Sequence, residues 1–212
     1  MCPNVYEAVF ALADAINKNK EMLTDLDAAI GDADHGINMS RGFDAVRAKL
    51  AKPEDEDISA VLKKVGMTLI STVGGASGPL YGTAFLKAAG VVQGCETITG
   101  EKAAEMLSAA VEGIKLRGKA KQGDKTMLDA LEPALEAISG GVREGRPLIE
   151  CLEAACDAAE KGMLHTSTIK ATKGRASYLG DRSIGHQDPG ATSSHIMLKA
   201  LTDYYRASMQ GI

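Results

Sequence analysis

Asp27, Asp32 and Asp34 crowd three carboxylates into one short stretch, with His35, Gly36 and Asn38 directly after them. Carboxylates this close raise one another's pKa unless a cation or hydrogen-bond donors offset the charge. Oxygen ligands are what Mg²⁺ selects, and phosphate oxygens commonly complete its shell. The stretch reads as a holder for a divalent cation and phosphate. The plain alternative is a solvated acidic loop capping a helix, and the three carboxylates set among Gly31 and Gly36 weigh against it. A calcium loop fails on spacing, because the twelfth position counted from Asp32 is Phe43 rather than Glu. A phosphatase-type Asp-x-Asp nucleophile would follow a buried apolar strand, which the helical segment before Gly31 does not provide.

Three further loops could share this chemistry. Residues 73–79, Val-Gly-Gly-Ala-Ser-Gly-Pro, carry more small residues than an interhelical turn needs, which favours a backbone cradle for phosphate. No Gly-Lys-Ser/Thr completes a Walker loop there, and no Gly-x-Gly-x-x-Gly fingerprint occurs in the chain. Residues 117–127 form a basic, glycine-containing loop in which Gly118 and Met127 are the candidates for ligand contact, while Lys121 and Lys125 read as solvated. Residues 171–190 show neither helical nor strand period; they read as an ordered lid in which Arg175 neutralises phosphate charge and Asp188, Pro189 and Gly190 turn against the ligand.

Helices must position these loops. Apolar periodicity and capping residues predict helices over 4–26, 37–50, 58–71, 80–92, 101–116, 126–138, 147–165 and 191–205, and no credible strand. The first helix delivers Asp27 at its end. Asp32 and Asp34, two apart, would face one side of an extended backbone, Gly36 would turn the chain tightly into the second helix, and Pro79 would take the first position of the fourth. Arg41, on the second helix, stands within reach of the site or outside it with equal weight, and Arg47 reads as a surface charge. The acidic run at residues 54–57 reads as a first helical turn complementing its dipole.

The composition agrees with packed helices: 45% hydrophobic, 4% aromatic and no Trp. At 212 residues one domain over 1–212 is the default. A net charge of −4 argues against a generic nucleic-acid binder. Scattered Cys2, Cys95, Cys151 and Cys156, without a Cys-x-x-Cys pair, point to reduced thiols and a cytoplasmic protein; no apolar run approaches the roughly 20 residues of a membrane span.

Taken together, the stretches 27–42, 73–83, 117–129 and 173–193 resemble the L-subunit family of bacterial dihydroxyacetone kinases, at matching order and spacing over nearly the whole chain. The resemblance implies an all-α barrel of eight antiparallel helices with the nucleotide in loops at one rim. It implies that Asp27, Asp32 and Asp34 hold two Mg²⁺, that His35, Gly36, Ile37 and Asn38 border ADP or ATP, and that Ala76 and Ser77 meet phosphate. Gly118 and Met127 would then contact the nucleoside, with Arg175, Asp188, Pro189 and Gly190 closing over it. Dihydroxyacetone would be held covalently by a histidine of a separate K subunit, so the chain alone would have no kinase activity. In one form of the family ADP stays bound and is rephosphorylated by a phosphohistidine M subunit; in the other, ATP exchanges from solution. The first form is the expectation. The alternatives are a relative acting on another small keto-sugar and a nucleotide-loaded protein that docks on a transcriptional regulator.

Overall fold

Asn4 starts the first helix, its side-chain oxygen accepting the Tyr6 N–H at 2.8 Å, the standard way an Asx residue satisfies a free helical donor. In the computed structural model, which describes residues 4–52 and 56–210, nine α-helices follow. They are α1 (Val5–Lys18), α2 (Lys20–Ile30), α3 (His35–Lys49), α4 (Ile58–Thr72), α5 (Ser77–Val91), α6 (Gly100–Gly118), α7 (Leu128–Arg143), α8 (Leu148–His165) and α9 (Pro189–Gln210). Two 3₁₀ segments, Thr166–Thr168 and Arg175–Ser183, lie between α8 and α9, and no strand occurs among the described residues.

From α3 onward each α-helix packs on the next in the sequence, and α9 returns to α1, which in turn packs on α3. The order of neighbours therefore closes on itself, with α2 set against α3 and α9. The main core is aliphatic, filled by Leu12, Ile16, Leu23, Met39, Val65 and Leu69 around Phe43. Small residues supply the close crossings that the scarcity of aromatics allows. A Cβ on Gly66 would lie 2.8 Å from the Gly82 carbonyl oxygen, so α4 and α5 meet backbone to backbone.

Several expected boundaries move. The helix expected over 4–26 is two helices. Asn19 ends α1 by folding its side-chain amide onto the Ala15 carbonyl at 2.8 Å, with φ −103° and ψ 11°, and the chain restarts at Lys20. Asp27 is still delivered at a helix end, in the last turn of α2, which continues to Ile30. Gly36 does not turn the chain: it is the second residue of α3, where a Cβ would fall 2.0 Å from the Lys20 carbonyl oxygen of α2. Pro79 is the third residue of α5, not the first; its missing N–H belongs to the free donors of the opening turn either way. Gly140 and Gly141 do not break α7, which runs on to Arg143. Pro53 to Asp55, which include part of the acidic run, and Cys2 lie outside the described residues. Asp57 caps α4, accepting the Ala60 N–H at 2.7 Å. No described helix is long and apolar enough to cross a membrane.

Candidate functional site

The Asp27 carboxylate is placed by two backbone donors. Its Oδ2 accepts the N–H of Asp34 at 2.9 Å and of His35 at 3.1 Å, so the end of α2 caps the start of α3. Between them Ala33 takes a left-handed conformation, φ 60°. Asp32 and Asp34 therefore reach a common side through a turn, not along extended backbone as their spacing suggests. Ligand oxygens of Asp27, Asp32 and Asp34 lie within 4.8 Å of one another.

The carboxylates line a cavity of about 520 Å³. Its other walls are helix ends: α3 at His35, α5 at Ala76 and Ser77, α7 at Met127 and α9 at Pro189 and Gly190 present N-terminal turns, whereas α2 and α6 present C-terminal ones. Backbone N–H groups of a first turn lack intrahelical acceptors and carry the positive end of the helix dipole, so the convergence favours an anion. Arg117, Lys173 and Arg175 add side-chain charge to the lining.

His35 is buried, with Nδ1 3.1 Å from Ser77 Oγ and Nε2 2.8 Å from Ser193 Oγ. Burial lowers its pKa, against the opposing pull of Asp27 and Asp34. The ring thus ties α3 to α5 and α9 and bridges as a neutral imidazole. Tyr81 sits beside it, its hydroxyl 2.7 Å from Ser193 Oγ and 2.9 Å from Ser194 Oγ, and donating to the Gly190 carbonyl at 3.1 Å. Burial pushes the phenol up to about 12, so it stays protonated.

Asp188 caps α9, its Oδ2 accepting the Ala191 N–H at 2.7 Å. Burial first, and the Asp129 carboxylate beside it, push its pKa up to about 7, with the Ala191 N–H and Lys125 pulling the other way. Asp129 in turn accepts the N–H of Gly123 at 2.6 Å and of Thr126 at 2.7 Å, shaping the turn before α7.

Of the residues singled out from the sequence, Asp27, Asp32, Asp34, His35, Ala76, Ser77, Gly118, Met127, Arg175, Asp188, Pro189 and Gly190 all line this cavity. Gly36, Ile37 and Asn38 do not. Gly36 is pressed against α2, Ile37 is half exposed, and Asn38 Oδ1 accepts from Arg41 Nη2 at 2.7 Å. Arg41 also donates to the Thr72 carbonyl and stands off the cavity as a strut between α3 and α4. Arg47 is not a free surface charge: it pairs with Asp14 and stacks over Phe10.

The sequence reading missed Lys125 and Tyr81. Lys125, expected in solvent, is 1% exposed, with Nζ donating to the carbonyls of Ile169, Ser183 and His186. A lysine among glycines and other lysines offers no sign of this. Tyr81 had a faint one, as one of only 5 tyrosines placed just after the glycine-rich loop. The lid likewise holds regular structure where none was expected, its 3₁₀ segment bent at Gly180, φ 58°.

The DAK2 domain family profile matches residues 29–203. The chain is 49% identical over 188 residues to the ADP-binding subunit DhaL of the PEP-dependent dihydroxyacetone kinase of Escherichia coli K12, covering 89% of this chain and 90% of that one. It is 32% identical to the human triokinase/FMN cyclase over 87% of this chain, but spans only 32% of that enzyme. Among solved structures, the dihydroxyacetone kinase from C. freundii in complex with AMP-PNP and Mg²⁺ superposes with a TM-score of 0.73 at 26% identity, over 94% of this chain and 33% of that one. With the profile spanning most of its length and a relative this similar matching it nearly end to end, the chain belongs to the DAK2 domain family.

Proposed function

We propose that this chain is the nucleotide-bearing subunit of a dihydroxyacetone kinase. The observation that carries the reading is the meeting, on one cavity, of three clustered carboxylates with the N-terminal turns of α3, α5, α7 and α9. The donor set fits a hard divalent cation: all three candidate ligands are carboxylate oxygens within 4.8 Å of one another, and phosphate oxygens commonly complete the shell of such an ion. Asp27, Asp32 and Asp34 would hold two Mg²⁺. When bound, the Mg²⁺-nucleotide supplies the phosphoryl group together with the neutralisation of its charge.

The chain's own residues bind and orient. The opening turn of α5 at Ala76 and Ser77 offers N–H groups to phosphate, and Arg175 offers a guanidinium from the lid. Gly118 and Met127 form the nucleoside wall, Met127 through a pliable apolar side chain. Asp188, Pro189 and Gly190 close the far side. Gly36, Ile37 and Asn38, which follow His35 in the first turn of α3, would border the nucleotide from the edge of the cavity, Asn38 lying against the lining residue Gly74. The acceptor sugar would sit on a separate K subunit, and transfer from a Mg²⁺-nucleotide needs positioning and charge neutralisation more than a nucleophile from this chain. ADP is expected to remain bound and to be recharged by a phosphohistidine M subunit. The closed order of neighbouring helices supports a barrel of eight antiparallel members, with α1 and α2 counting as one broken helix and the cavity at one rim. We place the protein, as one domain over 1–212, in the cytoplasm.

Native mass spectrometry of the freshly purified chain tests this. Retained ADP with Mg²⁺ after buffer exchange is the expected result. An empty chain that readily exchanges ATP would replace the retained-coenzyme form by the exchanging one, and a chain that takes up neither nucleotide with Mg²⁺ would overturn the reading.

A further inference from the structure

The lid over the cavity is fastened from below by two consecutive residues of the α6–α7 connection. Lys125 Nζ donates to the carbonyls of Ile169 at 3.2 Å, Ser183 at 2.6 Å and His186 at 2.5 Å. An ammonium has three N–H donors, and all three are spent on backbone oxygens of the segment that carries Arg175. Asp124 grips the same segment by its other neighbour: Thr172 donates its hydroxyl to Asp124 Oδ1 at 2.5 Å and its N–H to the Asp124 carbonyl at 3.2 Å.

The grip is specific in two further respects. Lys125 holds φ 61°, a left-handed conformation that costs a residue with a Cβ and persists where the surroundings impose it. Backbone carbonyls of an irregular segment need donors when buried. Ser183 Oγ accepts the Ala171 N–H at 2.9 Å, and Gly185 donates to the Ser167 carbonyl at 2.7 Å. Removing the ammonium would strand three acceptors at once, at both ends of the 3₁₀ segment.

We propose that Asp124 and Lys125 form a positioning clamp that holds residues 169–186 over the cavity and sets how long its ligand stays. Lys125 is no phosphate ligand, although it lines the cavity, because its donors are already occupied. The consequence for ligand residence rests on the nucleotide reading above; the clamp itself does not.

The test is hydrogen exchange on the nucleotide-free chain, paired with release of a fluorescent ADP analogue in Mg²⁺. Lys125→Met keeps the bulk and removes the charge. Lys125→Gly frees the backbone and leaves a lysine-shaped void into which n-butylammonium can be added. Both are expected to raise amide exchange across 169–186 at least tenfold while α1, α4 and α8 stay protected, and to speed analogue release tenfold. Butylammonium should restore protection in Lys125→Gly and not in Lys125→Met. Unchanged lid exchange, or an increase spread evenly over all helices, would overturn the clamp. Should neither lysine variant accumulate folded, Thr172→Val decides: a rise confined to 169–186 supports the clamp and no rise overturns it. If the wild-type chain binds no analogue, the nucleotide reading fails while the exchange data still judge the clamp.

Discussion

Arg175 Nη2 lies 2.9 Å from Asp32 Oδ2, joining the lid to the carboxylate turn across the mouth of the cavity. If Asp32 serves as a metal ligand, as proposed above, the guanidinium and a bound cation would compete for this carboxylate. Both side chains remain partly in solvent, so the pair contributes at most about 1 kcal/mol to stability. Its weight is in competition rather than in folding.

Arg175→Ala is accordingly expected to tighten binding of Mg²⁺ or Mn²⁺ to the nucleotide-free chain by a few fold, since the internal competitor is gone. ADP should bind at least tenfold more weakly. Isothermal titration with the metal alone and then with the nucleotide checks both; weaker metal binding would count against the competition.

Asp27 has two tasks that substitution can separate. Asp27→Asn keeps an oxygen for the Asp34 and His35 donors and loses the charge, so thermal stability should hold while divalent-ion affinity falls tenfold or more. Asp27→Ala loses the cap as well and is expected to cost about 1–2 kcal/mol further. Urea melts beside metal titrations distinguish the two.

Asp188 imposes a pH dependence. Its carboxyl is held up to about 7 in the fold, against an ordinary value of 3.8. Between these values the folded chain keeps a proton that the unfolded chain has released, so stability falls as pH rises through the window, by on the order of 1 kcal/mol per unit. The contribution is fully present below the lower value and lost above the upper one. Lys125 and Asp129 are the charges that face it. Asp188→Asn, which retains an acceptor for Ala191, should flatten this part of the slope in urea melts from pH 4 to 8.

Glycine placement yields a paired prediction. Gly36→Ala would drive a Cβ into the Lys20 carbonyl and should cost about 1–3 kcal/mol by parting α2 from α3. Gly140→Ala, in α7 with nothing within 4 Å of the added carbon, should stabilise by about 0.5–1 kcal/mol. Thermal melts of the two single variants give the comparison.

Residue type and order made the carboxylate turn legible, because three Asp beside small residues have few other uses. The helices showed through their apolar period. What stayed hidden depends on partners far along the chain. The period runs through Asn19 without interruption, and only a side-chain amide folded onto Ala15 reveals the break. The solvent-or-buried choice for Lys125 turns on carbonyls 44 to 61 residues away. Gly36 looks the same in sequence whether it serves a turn or a helix crossing; the Lys20 backbone decides.

The closing contact between α9 and α1 bears on how the chain comes to be folded. Tyr204 accepts the Asn4 N–H at 2.8 Å and donates to Glu7 at 3.1 Å, joining positions 200 residues apart. Local helix pairs can form as the polypeptide leaves the ribosome, but this contact cannot exist until α9 has been synthesised. The contacts of the His35 ring, Ser77 at the start of α5 on one side and Ser193 of α9 on the other, are completed only in that same late step, so a ligand-competent cavity has to wait for α9 and is a property of no shorter nascent fragment.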